Sequence, residues 1–542
     1  MVLSRQIVEL CDWFYASTVE NNEVYIVKWQ FPDDAFPDLS YERAAADSAL
    51  ADETEAKARR MLAEYPAHND QIMLKILIYY CGYIRKNREN YWLRFDLNHY
   101  YDMLPTFLNK MVRLPIATGA DRARYLKILK NFTPFAASQL DKLKAQARRY
   151  IRMPVEGCRL AVLSLENTAD VLAELDRFEG CAEAADAART AVQNLIDYIG
   201  GPYMASAPNA IGMGQYPGGM DLYMNEVDTY ISQRLDPTVI HRRGYEELAR
   251  TEAEMLRIAR EMGCTGTLRE CLDAIQNDPK YRFHSPEEMQ AAMTGYLDQI
   301  RPYMPKYFAR MPRADCAVAR LNPSHEATTS WGYYNIPVEK DIGVYYYSAR
   351  ELEKRCQIRT HAVVYHELLP GHHYQMNLVL EDPTLPDIIH HHYNTAFADG
   401  WAEYASGFCR ELGLYTDCDD LGRLSWDSFL CCRLIVDTGL NALGWTMEEA
   451  RDFLLEHTML TDSEINTELL RYTFGMPAQA LAYKWGSRYF QDIRARAQAE
   501  LGDAFDIVRF HDAVLQFGAI PLDILNEHFE WYLEQEKKGA RP

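Results

Sequence analysis

The stretch HELLPGHHYQ, residues 366–375, holds the residue types from which zinc hydrolases build their metal sites. In such sites His side chains bind the metal, and a Glu beside the first His activates water. The usual pattern, H-E-x-x-H, places its two His residues at i and i+4 on one face of a helix. Here position i+4 is Pro370, and the next His residues are His372 and His373, at i+6 and i+7 from His366.

An unbroken helix does not bring either of these residues beside His366. Position i+6 lies about 240° around the helix, and position i+7 lies about 10 Å further along its axis. Pro370, however, lacks an N–H group and clashes with the carbonyl of His366 in a continuous helix. Gly371 permits backbone angles that other residues avoid. We therefore predict a break at Pro370-Gly371 that turns His372 back towards His366.

The chain resembles a bacterial family catalogued as domain of unknown function 885, which is grouped with zincin-type metallopeptidases. Its motif H-E-x-x-P-G-H-x-x-Q matches residues 366–375, and a second motif, close to E-G-W-A-x-Y-A-E, matches DGWAEYAS at 399–406. The family's C-terminal signature is similar to RYTFGMPAQALAYKWG at 471–486 followed by FHD at 510–512. The resemblance extends from about Gly214 to Pro521.

The resemblance implies one zinc ion per chain, bound by His366 and His372, with a third ligand at position 399. Asp399 stands where the family has Glu, so its carboxylate is one methylene shorter. Glu403 lies at i+4 on the same helix face. Glu403 could either accept a hydrogen bond from a ligand His or replace Asp399 as the ligand. His373 is a further candidate ligand, although we expect a supporting role for it in the cleft.

The catalytic residues that the motifs imply are a base and several donors. We expect Glu367 to act as the general base, while donors stabilise the oxygen that becomes negative during attack on a carbonyl. Basic side chains could anchor a substrate carboxylate, and Gln375 could brace a ligand or the substrate. The candidate donors are Tyr472, Tyr483 and His511, and the candidate anchors are Arg471 and Lys484.

Composition narrows the possible partners. The chain has 542 residues, 48% of them hydrophobic and 25% charged, which suits a large folded core. A net charge of −21 argues against nucleic acids and anionic membranes as partners. The N-terminal residues MVLSRQIVELCD carry charges where a signal peptide is apolar, and no apolar run is long enough to span a membrane. The twelve Cys residues are scattered, as in a cytoplasmic protein with reduced thiols.

The expected fold is mainly α, zincin-like and two-lobed, with a small β-sheet beside the active-site helix. Helical periodicity marks residues 137–198, and capping boxes at Ser285–Glu288 and Thr446–Glu449 predict helices at Met289–Tyr307 and Ala450–His457. β-Rich runs occur at 316–321 and 344–348. A loop rich in Gly and Pro at 200–219 suggests a boundary between a helical N-terminal lobe, 1–213, and a catalytic lobe, 214–542, within one integrated domain.

Together these features predict a zinc-dependent hydrolase, most simply a peptidase of short peptides or small amides. The pattern does not distinguish cleavage within a chain from cleavage at either end. Two His residues and one Asp are also the ligands of non-haem iron(II) oxygenases, although such a site has no use for Glu367. A non-catalytic binding protein is the third possibility, because Asp399 departs from the family pattern.

Overall fold

The computed structural model describes residues 2–19, 31–98, 103–322, 326, 332–337, 342–352, 355–391 and 393–539. The protein is 71% helical, and the described residues form one small three-stranded sheet. The predicted mainly helical class with a small sheet is therefore confirmed. None of the helices in the described part of the chain combines the length and apolarity needed to span a membrane.

Thirteen α-helices precede the sheet in the described part of the chain. They are α1 (Arg5–Phe14), α2 (Tyr41–Glu64), α3 (His68–Glu89), α4 (Met103–Met111), α5 (Gly119–Arg148), α6 (Val155–Glu166), α7 (Ala169–Ala173), α8 (Ala182–Tyr198), α9 (Gly219–Ile231), α10 (Pro237–Glu261), α11 (Leu268–Asn277), α12 (Pro286–Ile300) and α13 (Met304–Tyr307).

Three strands follow, and the remaining helices run to the C-terminal end of the described chain. The strands are β1 (Asp315–Arg320), β2 (Gly332–Asn335) and β3 (Ile342–Tyr347). The helices are α14 (Thr360–Glu367), α15 (His372–Leu380), α16 (Asp387–His390), α17 (Thr395–Phe408), α18 (Asp417–Ala442), α19 (Met447–His457), α20 (Asp462–Leu470), α21 (Leu481–Leu501), α22 (Ile507–Leu515) and α23 (Leu522–Lys537).

The sheet has the order β1-β3-β2, with β1 parallel and β2 antiparallel to the central strand. Ala317 pairs with Val344, and Tyr333 pairs with Tyr346. The β-rich runs at 316–321 and 344–348 thus coincide with two strands. The short strand β2 was not predicted.

Helices between residues 237 and 501 pack closely against one another in pairs. α17 lies against α21, and α10 lies against α18. Most residues of the 26-residue helix α18 are buried, as expected for a helix enclosed on all sides. A single hydrophobic cluster includes residues as distant in sequence as Ile7 and Leu533. This hydrophobic core includes residues on both sides of position 213. The lobe boundary predicted at that position stays a prediction.

The local predictions have mixed outcomes. Thr446 caps α19 with the predicted capping box. Ser285 caps α12, but this helix ends at Ile300, and α13 forms separately after a turn. The predicted loop at 200–219 contains short helical turns.

The expectation that all Cys residues are reduced is wrong for one pair. Cys264 precedes the first residue of α11 and Cys271 lies within that helix, and the two are joined by a disulfide. The other ten Cys residues are free, and all of these except Cys418 are buried. The prediction of a cytoplasmic location therefore loses the part of its support that came from reduced thiols.

Candidate metal centre

The chain changes direction between His366 and His372. After α14, Leu368 leaves the helical region with φ −112° and ψ −102°. The Leu369–Pro370 peptide is cis, and Gly371, with φ −79° and ψ −129°, leads directly into α15. The break predicted from the Pro-Gly pair is present. It places the ring centroids of His366 and His372 4.7 Å apart, with their planes at 86°.

Close backbone contacts hold this turn. The Gly371 N–H donates to the carbonyl of Tyr365 at 3.0 Å. A Cβ atom on Gly371 would lie 1.8 Å from the His366 carbonyl oxygen, so no larger residue fits without a shift of the backbone. From α17, Nε1 of the buried Trp401 donates to the carbonyl of Pro370 at 3.0 Å. The turn is thereby fixed against α17.

Helix α17 supplies a carboxylate to each imidazole. Asp399 Oδ1 lies 3.3 Å from His372 Nε2, and Glu403 Oε1 lies 3.0 Å from His366 Nδ1. The Nε1 group of Trp426 also donates to Glu403 Oε1, at 2.7 Å. Because the two acids are four residues apart on one helix face, they reach different His residues.

His366, His372 and Asp399 form a cluster whose ligand atoms all lie within 4.8 Å of one another. Two His residues and a carboxylate are a donor set that zinc accepts. Nδ1 of His372 is buried and makes no hydrogen bond with a described residue. The residues present therefore fit a metal ion. Glu403 Oε1 lies 3.0 Å from Nδ1 of His366, a position from which a carboxylate can orient the ring of a metal-binding His.

The site contains more acidic than basic groups. Burial lowers the pKa of His366, but the nearby carboxylates of Glu403, Glu367 and Asp399 outweigh it and raise that pKa to about 9. Burial raises the pKa of Glu367, and the two imidazoles oppose this rise. Three carboxylates around two imidazoles attract positive charge, which a divalent cation would supply.

Replacement of Glu403 by Gln should weaken zinc binding about 10- to 100-fold without abolishing it, because Glu403 orients His366. Asp399→Asn should weaken zinc binding more, because it alters a candidate ligand. Competition with a chromophoric chelator measures both affinities, and Glu456→Gln, on an exposed side chain, serves as the control. A larger loss in Glu403→Gln than in Asp399→Asn would instead make Glu403 the ligand.

Two glycines bring α17 and α21 together beside the site. A Cβ atom on Gly486 would lie 1.8 Å from the Ala396 carbonyl oxygen, and one on Gly400 would lie 2.5 Å from Gly486 backbone atoms. This close approach places Tyr483 of α21 opposite His366, with ring centroids 6.5 Å apart and planes at 12°. The positions of Asp399 and Tyr483 thus both depend on the contact between Gly400 and Gly486.

We predict that Gly486→Ala destabilises the protein by about 1–3 kcal/mol, because the added methyl forces the two helices apart. Zinc affinity should also fall, since Asp399 moves with α17. Chemical denaturation and chelator competition measure these effects. Gly295→Ala in α12 is the matched control, because its Cβ would meet nothing within 4 Å. The control should gain up to about 1 kcal/mol from helix propensity. Equal stability of the two variants would refute the role of this contact.

The cluster opens into a cavity of about 350 Å³. Residues of the sheet form one wall, α14 and α17 form another, and Glu367 lies in the same cavity as the three candidate ligands. The remaining lining residues are mostly aromatic or charged. They include Tyr333, Tyr334, Tyr345, Arg359, Tyr393, Glu403, Trp426, Arg433 and Tyr483.

Tyr483 is the predicted oxyanion donor that lines this cavity; Tyr472, Arg471 and Lys484 do not line it. The hydroxyl of Tyr472 donates to Glu468 at 2.5 Å, and its side chain is fully buried. Nζ of Lys484 donates to both carboxylate oxygens of Asp427, each at 2.8 Å. The charge of Lys484 is therefore neutralised inside the protein.

His373 lies outside the cavity lining and ties α15 to the sheet region. Its Nδ1 is 2.9 Å from the hydroxyl of Tyr334, and its Nε2 is 3.1 Å from the carbonyl of Ala314. Burial lowers the pKa of His373 to about 4. Both ring nitrogens have protein partners, which agrees with the expected supporting role.

His511 and Gln375 are likewise placed away from the cavity lining. Nε2 of His511 is 2.9 Å from the Tyr404 hydroxyl, and its Nδ1 is 3.0 Å from the Tyr307 carbonyl. Burial lowers the pKa of His511 to about 3. Gln375 is 3% exposed, and its Oε1 makes no hydrogen bond with a described residue. Three consecutive His residues occupy positions 390–392. Position 392 lies outside the described residues, and His391 lines a different cavity.

Sequence reasoning missed Arg433 and Tyr393. Arg433 is one of two charged residues in the apolar stretch FLCCRLIVD, 429–437, and a charge inside such a buried stretch is the signal that could have identified it. Tyr393 precedes α17 and also lines a second cavity of about 520 Å³. This second cavity is rich in aromatic residues, and Tyr393 forms a wall common to both cavities.

Comparisons with known proteins agree on the architecture. A family model described as a bacterial protein of unknown function (DUF885) matches residues 24–529. The crystal structure of the "putative lipoprotein from Colwellia psychrerythraea" is 24% identical, covers 98% of this chain and 99% of its own, and gives a TM-score of 0.81. A "putative lipoprotein of unknown function from Shewanella oneidensis" is 15% identical, covers 97% and 99%, and gives 0.78. No curated protein matches the chain. At these identities the two structures establish the fold alone.

Proposed function

This chain belongs to the DUF885 family of bacterial proteins of unknown function, and we propose that it is a zinc-dependent hydrolase of short peptides or small amides. The observation that carries the proposal is the position of Glu367. This carboxylate lies in the same cavity as His366, His372 and Asp399. Hydrolysis at a metal requires a base beside the ion, and Glu367 adjoins the first candidate ligand in sequence and in space.

In the proposed site, His366, His372 and Asp399 hold one zinc ion. When bound, zinc supplies Lewis-acid chemistry, which polarises a carbonyl and makes water more acidic. Glu403 keeps the His366 ring in position through its contact with Nδ1. Trp401 and Gly371 fix the turn that carries His372.

Glu367 moves the proton in this scheme. It accepts a proton from the water whose oxygen bonds to the carbonyl carbon, and it delivers that proton to the amine nitrogen as the C–N bond breaks. The burial that raises the pKa of Glu367 suits the first task, because a more basic carboxylate accepts a proton from water more readily. The phenols of Tyr483 and Tyr393 line the cavity and can donate to the carbonyl oxygen as it becomes negative.

We further propose that the helical architecture is the two-lobed zincin-like fold. The small sheet lines the cavity beside α14, where zincins place a sheet. A cavity of about 350 Å³ has room for a short peptide segment but not for a folded chain. Rapid cleavage of a native folded protein would contradict this size limit.

The iron(II) oxygenase remains the second candidate, because two His residues and one Asp also match its ligand set. Glu367 favours hydrolysis, since an oxygenase needs no base at that position. The identity of the bound metal separates the two functions.

The proposal is tested by incubating zinc-loaded protein with a defined mixture of two- to six-residue peptides and following the products by mass spectrometry. We expect cleavage that stops when a chelator is added and resumes with zinc. A protein that binds zinc but cleaves no peptide or small amide would be a binding protein, and the hydrolase proposal would be wrong.

A further inference from the structure

Arg433 is a buried cation in the wall of the metal cavity. It projects from α18, and only 3% of its surface is exposed. Its Nη2 donates to both carboxylate oxygens of Glu468, each at 3.1 Å. Its Nε and Nη1 are also buried, and neither makes a hydrogen bond with a described residue. Buried donors of a charged group are costly to leave unpaired, which indicates a ligand that pairs with them.

The local charge balance points to an anion. Glu468 neutralises Arg433 only in part, because it also pairs with Arg471 at 3.2 Å and accepts from the Tyr472 hydroxyl. One carboxylate thus faces two guanidinium groups. Arg359, which is 7% exposed, lines the same cavity. Because Arg433 shares Glu468 with Arg471, it keeps positive charge that an anion in the cavity can neutralise.

Arg433 lies close enough to the candidate metal site for one ligand to contact both. The Tyr483 ring stacks on His366 at 6.5 Å, and the Arg433 guanidinium lies 4.8 Å from the centroid of that same ring. A single aromatic ring therefore adjoins both groups. A ligand that reaches the ion can extend past Tyr483 to Arg433.

We propose that Arg433 binds a carboxylate of the substrate, and that the substrates are peptides or acylated amino acids with a free C-terminal carboxylate. The proposal rests on the proposed hydrolase for the bond that is cut, but not for the binding itself. Guanidinium groups pair with carboxylates through charge-assisted hydrogen bonds, which are stronger than neutral ones. Arg433 takes the anchoring role that the sequence suggested for Arg471 and Lys484. Cleavage would then occur near the C-terminal end of the substrate.

The test compares two probes by isothermal titration calorimetry on zinc-loaded protein, N-acetylphenylalanine and N-acetylphenylalaninamide. The wild type should bind the acid about 10- to 100-fold more tightly than the amide, the range expected for hydrogen bonds to a charged group. Arg433→Gln should lose this preference while retaining its zinc. Equal binding of acid and amide by the wild type would overturn the proposal, as would a preference that survives in Arg433→Gln.

Arg494→Gln is the matched control. Arg494 also forms a two-point pair with a carboxylate, Glu411, and lies over the ring of Phe408, but it does not line the cavity. It should keep the preference for the acid. If Arg433→Gln does not fold, the double variant Arg433→Gln/Glu468→Gln removes both charges together and serves instead.

A third probe identifies the source of the carboxylate. The α-amide of N-acetylglutamate carries only a side-chain carboxylate, and we expect it to bind no better than N-acetylphenylalaninamide. Binding as tight as that of N-acetylphenylalanine would overturn the C-terminal assignment. These binding assays require no turnover. If the wild type prefers the acid to the amide but cleaves no peptide, the hydrolase proposal would be wrong, and the proposed carboxylate site would stand.

Discussion

Glu367→Gln should lower the rate of peptide hydrolysis by about 10²- to 10⁴-fold, the contribution that a positioned general base makes. Gln has nearly the same shape as Glu but cannot accept the proton. Glu367 is not in the cluster of His366, His372 and Asp399. The variant should therefore still bind zinc with similar affinity.

The measurement is the initial rate on the best peptide from the mixture, with zinc content determined on the same sample. Glu456→Gln controls for the substitution itself, because Glu456 is 78% exposed and lies on α19, outside the cavity. If Glu367→Gln cleaves the peptide as fast as the wild type, another group activates the water, and the proposed mechanism fails.

Zinc should stabilise the wild-type protein strongly and His372→Ala hardly at all. An ion that binds only the folded state adds about 4.1 kcal/mol when its concentration is 1,000 times the Kd. His372 is one of the three clustered side chains, and its Nε2 lies 3.3 Å from Asp399, so its loss removes one candidate ligand and a contact of another.

Thermal unfolding with and without added zinc measures this difference. His390→Ala is the matched control, since its Nε2 lies 2.9 Å from the Asp382 carbonyl and the side chain is outside the cavity. The control should keep the full zinc-dependent rise in Tm. An equal rise in His372→Ala would place the zinc elsewhere.

The sequence predicted those parts of the site that depend on local chemistry. The steric demands of Pro370 and Gly371 act within one turn, so the helix break and the approach of His372 to His366 could be inferred without a fold. The spacing of Asp399 and Glu403 likewise placed both on one helix face. The structure shows how that face is divided, with Asp399 beside His372 and Glu403 beside His366.

The parts that depend on distant contacts could not be inferred in this way. Tyr472 and Tyr483 belong to one motif, yet only Tyr483 lines the cavity, because Gly400 and Gly486 bring α21 close to α17. His511 packs among aromatic side chains that are distant from it in sequence, namely Phe308, which follows α13, and Trp401 and Phe408 of α17. The strand β2 is only four residues long and carries too little pattern to be recognised.

The measurement that tests the central claim most directly is the metal content of tag-free purified protein, by elemental analysis for zinc, iron, manganese and nickel. We expect close to one zinc per chain in the wild type and almost none in His366→Ala. Iron in place of zinc would favour the oxygenase. No metal after incubation with zinc, or zinc retained in His366→Ala, would contradict the proposed metal centre.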